Sequence, residues 1–137
     1  MTEQPTTAEL DEATLAFAHR MFELARNGGN EPLAEQLAAG LPVNLTNDKG
    51  DTLLILAAYH QHVATVRALL ARGADTERVN DRGQTALAAA VFRRSGEIVS
   101  DLLAAGADAE AGSPSARETA TFFELTDMSD LLPPRQA

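Results

Sequence analysis

Apolar positions along this chain fall into short runs divided by polar breaks, and the runs come in pairs. The segment LLILAAYH, from Leu53, is apolar and rich in alanine, which predicts a short helix that another helix can approach closely. A polar break at Gln61 and His62 follows. The next run, VATVRALLARG, sets Val63, Val66, Leu69 and Leu70 on one face at helical spacing. Gly73 then stands where a helix ends in the left-handed conformation. The order repeats further on: ALAAAVFR, a break at Arg94 and Ser95, a second amphipathic run, and Gly106.

The two copies are in register over a full unit of 33 residues, Asn47 to Val79 upon Asn80 to Gly112. Asp48 falls on Asp81, Leu54 on Leu87, Ala57 on Ala90, Val66 on Val99, and Leu69-Leu70 on Leu102-Leu103. Gly50 and Gly83 follow polar residues and suit a turn that needs positive φ. Thr52 and Thr85 precede the alanine-rich runs as helix N-caps do. Each unit therefore reads turn, helix, break, helix, glycine stop and loop. One such unit cannot bury its own apolar face, so copies stack.

This pattern resembles the ankyrin repeat. Gly50, Thr52, Leu54, Ala57, Ala58 and Gly73-Ala74-Asp75 match the family's turn glycine, Thr-Pro-Leu-His, Ala-Ala and Gly-Ala-Asp; so do Gly83, Thr85, Leu87, Ala89, Ala90 and Gly106-Ala107-Asp108. Leu53 and Ala86 stand in place of the proline, Ile55 and Ala88 in place of the histidine. Weaker copies flank the two. A shift of 33 sets Leu37 under Leu70, Gly40 under Gly73 and Leu24-Ala25 under Ala57-Ala58, with helices expected over Glu9–Arg26 and Glu31–Ala39. At the other end, Glu118-Thr119-Ala120 fits Gln84-Thr85-Ala86 with one inserted residue, Phe122, Phe123 and Leu125 forming the first helix and Asp127–Leu132 a short second one. The expected fold is an all-α ankyrin-repeat solenoid of four helix-turn-helix units with short hairpin-like loops. The units run over residues 9–46, 47–79, 80–113 and 114–132, with flexible tails at 1–8 and 133–137.

Composition narrows the chemistry. A chain of 137 residues fits one domain, and the absence of Cys excludes disulfides, thiolate catalysis and cysteine-ligated zinc. The net charge of -9 repels phosphate backbones, so no nucleic-acid partner is expected. No apolar run approaches a membrane span, and the polar start lacks the features of a secretory signal. A cytoplasmic monomer without membrane partner is the expectation. Ten of the eleven basic residues are Arg, Lys49 being the exception, a bias that goes with a GC-rich bacterial genome.

Catalytic constellations are sparse. His60 and His62 point to different faces of a helix and make a poor metal pair. His62 falls where the family often places a histidine opening the second helix, and His19 lies beside Met21 and Phe22. No serine sits in a nucleophile elbow. Asn27-Gly28-Gly29-Asn30 lacks the lysine and preceding strand of a phosphate loop, and reads as a helix–helix turn. Neither catalysis nor a cofactor or metal is expected.

The resemblance implies that partner proteins are held on the concave side, by turn tips and first helices. The two variable positions after Ala-Ala point into that groove. They are Tyr59-His60 and Phe92-Arg93, and one unit earlier Arg26 and Asn27. Lys49, Asp51, Arg82 and Gln84 lie at the turn tips. Aromatics flanked by arginines have the composition of an interface centre. In the alternative arrangement Phe92 tucks over its neighbour repeat and Tyr59 lies flat on the slab. The expected function is that of a protein-interaction module; an inhibitor or immunity-type protein that blocks an enzyme or toxin is the alternative. An acidic partner segment suits the arginine row.

Overall fold

The computed structural model describes residues 7–135, with side chains from Asp11 onward. Among the described residues the chain forms eight helices: α1 (Thr7–Asn27), α2 (Asn30–Ala38), α3 (Leu53–Tyr59), α4 (Val63–Ala71), α5 (Ala86–Phe92), α6 (Gly96–Ala104), α7 (Ala116–Phe122) and α8 (Thr126–Leu131). They stack in two layers. α1, α3, α5 and α7 pack side by side in one, and α2, α4, α6 and α8 in the other.

The local causes are those the sequence indicates. Thr52 Oγ1 accepts from the Ile55 amide at 3.0 Å, and Thr85 Oγ1 from the Ala88 amide at 3.1 Å, so each short helix starts with its orphan donors partly satisfied. Each also ends the same way. Gly28, Gln61, Arg94 and Glu124 take the left-handed conformation just after the first helix of each pair, at φ of 77°, 64°, 57° and 55°. The polar break is thus a one-residue reversal, and three of its four positions carry the strain of a side chain at positive φ.

Packing explains the alanines. Leu53–Ala58 and Ala86–Val91 are buried on every side, because α3 and α5 each have a neighbour on both flanks and their own second helix behind them. Ala57, Ala58, Ala89 and Ala90 are wholly inaccessible and let the backbones approach. In the outer layer Val66, Leu69, Val99 and Leu102 are fully buried, at equivalent positions of successive units.

The turns form a lattice of their own. Asn47 Oδ1 accepts from the amides of Lys49 and Asp51, both at 2.9 Å, and Asn80 Oδ1 from those of Arg82 and Gln84, both at 3.0 Å. The Asn80 Nδ2 group donates to Asp51 Oδ1 at 2.9 Å, and the Asp81 amide to the Lys49 carbonyl at 3.0 Å. Both turns are closed by their own asparagine, and the second is hung on the first.

Two expectations need correction. The fourth first-helix begins at Ala116, not near Phe122, because Ser115 Oγ accepts from the Glu118 amide at 3.1 Å while Glu118 Oε1 accepts from the Ser115 amide at 3.0 Å. Thr119 sits inside the helix, its hydroxyl turned back onto the Ser115 carbonyl at 2.8 Å. The N-terminal helix also starts earlier than expected, at Thr7. Of the tails expected at 1–8 and 133–137, residues 1–6 and 136–137 lie outside the described residues. The Pro133 carbonyl accepts from Arg117, and Arg135 reaches Glu110 at 3.7 Å.

Candidate partner-binding groove

The first helices end on one face, and their last residues bring the rings of successive units together. Tyr59 and Phe92 stack with centroids 6.3 Å apart and planes 12° from parallel. Phe92 meets Phe123 edge to face at 5.4 Å, and Phe123 meets Phe122 at 4.9 Å. The Arg93 guanidinium lies over the Tyr59 ring at 5.1 Å, within cation–π range, and His60 stands edge-on to Tyr59 at 5.1 Å. The row stays in solvent: Phe92 is 42% exposed, Phe123 49% and Phe122 79%. Offset and edge-to-face contacts stabilise this arrangement, but the rings contribute little to the core.

Three cavities adjoin along this face. One of about 460 Å³ lies between turn tips and the ends of α1 and α3, lined by Arg26, Lys49, His60, Asp81 and Arg82 among others. The next, of about 290 Å³, shares Tyr59, Arg82 and Gln84 with it and adds Phe92, Pro114 and Phe123. The third, of about 580 Å³, continues from Pro114 and Phe123 past Phe122 to Arg117 and Arg135. Together they make a groove across the repeats.

The predicted residues take different places in it. Tyr59, His60, Phe92 and Arg93 come together as one patch. Lys49 and Arg82 are exposed turn tips at the groove's edge. Arg26 lines the first cavity with its guanidinium paired to Glu23. Asn27 is exposed at the end of α1, with Glu23 as its side-chain partner at 3.4 Å. Gln84 is half-buried and accepts from Asn80 at 3.3 Å. Asp51 is buried, and its carboxylate is engaged by Asn80 and, at 3.4 Å, by Asn47, so its charge serves the scaffold. His62 also works within the scaffold, bonding the Arg26 carbonyl of the previous unit at 2.8 Å. His19 is exposed, 3.9 Å from Glu23.

Phe122, Phe123 and Pro114 belong to the groove and were not among the predicted site residues. A strict period of 33 carries Phe92 onto Leu125, yet Ser115 caps α7 only 30 residues after Thr85 caps α5. The signal that finds them is the capping-box pattern Ser115-Ala116-Arg117-Glu118, which sets the start of the helix without reference to any period.

Cationic side chains gather around His60. Burial, then the charges of Arg26, His62 and Arg93, hold the His60 imidazole below its ordinary value of 6.5, with Asp51 opposing them. Among the described residues, Lys49, Arg82 and Arg93 have no ion-pair partner. No group of three His, Asp or Glu side chains among the described residues converges as a metal site requires.

A model of ankyrin repeats, in three copies, matches residues 21–112. The chain belongs to the ankyrin repeat family. The matched stretch ends before α7, but α7 and α8 stack on α5 and α6 as the earlier ankyrin units do on theirs. An ankyrin repeat protein of Pseudomonas aeruginosa is 52% identical over 67 residues, which are 49% of this chain and 39% of that one. This chain therefore spans about two fifths of the relative's length. Ankyrin repeats are generally protein–protein interaction modules, and typically non-catalytic ones. No helix among the described residues is long and apolar enough to cross a membrane.

Proposed function

We propose that this protein is a non-catalytic interaction module whose groove, centred on Tyr59 and Phe92, holds a partner protein. The observation that carries the reading is the ring row. Four aromatic rings follow one another across the repeats, Tyr59 half-buried and Phe92, Phe123 and Phe122 exposed, with Arg93 laid over the first. Aromatic and arginine side chains held rigid at a surface are the groups that dominate interface energetics, and the exposed row forms an apolar patch of the kind that marks binding sites. Fold alone does not name the partner; the site does the arguing. In this reading the protein works as a cytoplasmic monomer, since each buried first helix is covered by its own neighbours. Light scattering at twice the chain mass of 14.5 kDa would count against that.

The test is a photo-crosslinking amino acid placed at Phe92 in the groove, or at Ser100 on the exposed side of α6. Expression in the source cells should yield a discrete protein adduct from position 92 and none from position 100. Adducts from position 100 alone would move the interface to the outer layer. If the captured partner is an enzyme or toxin whose activity falls on binding, the module is an inhibitor; unchanged activity makes it a scaffold.

A further inference from the structure

The groove is not uniform along its length. Its first cavity is lined by the cations Arg26, Lys49 and Arg82 and by the acids Asp51 and Asp81, in a chain where acids outnumber bases 20 to 11. The acidic excess of the chain is therefore absent there, with Arg26 paired to Glu23. Lys49 and Arg82 are exposed without an ion-pair partner among the described residues, Asp81 is exposed beside Arg82, and Asp51 is buried with its carboxylate hydrogen-bonded to Asn80. Arg93, lying over Tyr59, continues the basic stretch to the middle of the groove. Beyond it the lining changes. Phe92, Phe123, Pro114 and Phe122 succeed one another, and the two arginines at the far end, Arg117 and Arg135, are both held by Glu110.

Building on the reading of the groove as a protein-binding site, we propose that its occupant is a partner segment of one particular chemistry: a cluster of carboxylates next to one or two large apolar side chains. The carboxylates lie against Lys49, Arg82 and Arg93. The apolar side chains lie on Phe92 and Phe123 beside Pro114. The unpaired cations Lys49, Arg82 and Arg93 attract such a segment at longer range than the ring row can act, against the repulsion of the chain's net charge of -9. Segments of other charge meet either unpaired cations or the negative remainder of the surface, so the same arrangement discriminates.

A displayed library of random twelve-residue peptides, selected on the full chain, tests this directly. The enriched peptides should carry two or more acidic residues adjacent to Phe, Trp, Leu or Met. A synthetic copy of the best should lose about tenfold or more in affinity on Lys49→Glu/Arg82→Glu, and lose affinity as salt rises. Phe123→Ser should weaken it through the apolar residue alone, with the salt dependence kept. Arg67→Ala, on the outer layer, should bind as wild type, and circular dichroism should show all the variants folded. Enriched peptides that are neutral or basic, or that ignore Lys49 and Arg82, would overturn this chemistry and leave the groove as a protein site. Enrichment of no peptide, together with no adduct from position 92, would remove the groove itself. A dimer in sedimentation that is lost on Arg82→Glu would mean that a second copy fills the groove, and would overturn the assignment to a partner.

Discussion

The Asn80 side chain ties two repeats together at Asp51. Its Nδ2 donates to Asp51 Oδ1 at 2.9 Å, while its Oδ1 accepts from the amides of Arg82 and Gln84. Both residues are buried, so neither can exchange these bonds for water without opening the turns. Asn80→Ala therefore leaves the Asp51 carboxylate short of a donor and two amides short of an acceptor. We expect it to destabilise the protein by about 2–3 kcal/mol in urea unfolding. A cost within experimental error would show that the turn lattice is replaced by solvent.

The fourth repeat rests on its cap. Ser115→Ala removes the acceptor for the Glu118 amide and should lower stability by about 1 kcal/mol. Ser115→Thr should restore most of it. Thr119→Val retains the helix and keeps the size of the side chain, losing only the bond to the Ser115 carbonyl. If Thr119→Val cost more than Ser115→Ala, the helix start would lie where the repeat alignment with one inserted residue puts it.

Binding and stability should separate at the ring row. Tyr59→Ala and Phe92→Ala remove rings that line the groove and lie over, rather than inside, the core. Each should cost the partner complex about tenfold or more in affinity. In the core the balance reverses. Leu69→Ala or Leu102→Ala, both wholly buried, should lose about 3 kcal/mol of stability. Equal losses of stability from both sets would place the ring row in the core.

His60 gives the groove a pH dependence. Its imidazole is held below 6.5 by burial and by Arg26, His62 and Arg93, so NMR titration of its ring should show a midpoint below that value. The folded state penalises the protonated form. The contribution to stability is thus unchanged above the unfolded value, declines as pH falls through it, and levels off once the folded group is also protonated. Between pH 7.5 and 5.5 the urea midpoint of wild type should fall relative to that of His60→Gln. An acidic occupant should raise the His60 midpoint, since it adds negative charge beside the ring.

The pattern of apolar and polar residues carried the architecture. A doubled unit with a turn glycine, an N-cap threonine, an alanine-rich run and a glycine stop admits one economical solution, stacking, and these features are local. Gly50 at φ 76° and Thr52 as N-cap could be read in place, because each depends on its immediate neighbours. The variable pair after Ala-Ala also pointed to Tyr59, His60, Phe92 and Arg93 as one row.

What only the tertiary structure decided depends on which units face one another. Asp51 has the composition of a turn-tip contact, but Asn80 of the next repeat, 29 residues on, claims its carboxylate. His62 closes onto the Arg26 carbonyl, 36 residues back. Phe122 and Phe123 join the ring row because the last loop is three residues shorter than the equivalent loop one repeat earlier, which moves them from an expected core helix to the groove. The sequence by itself determined the unit and the order of stacking, since these follow from burying an apolar face. The gathering of cations in the groove and the length of its aromatic row arise between repeats, where residues far apart in the chain meet, and no single unit contains them.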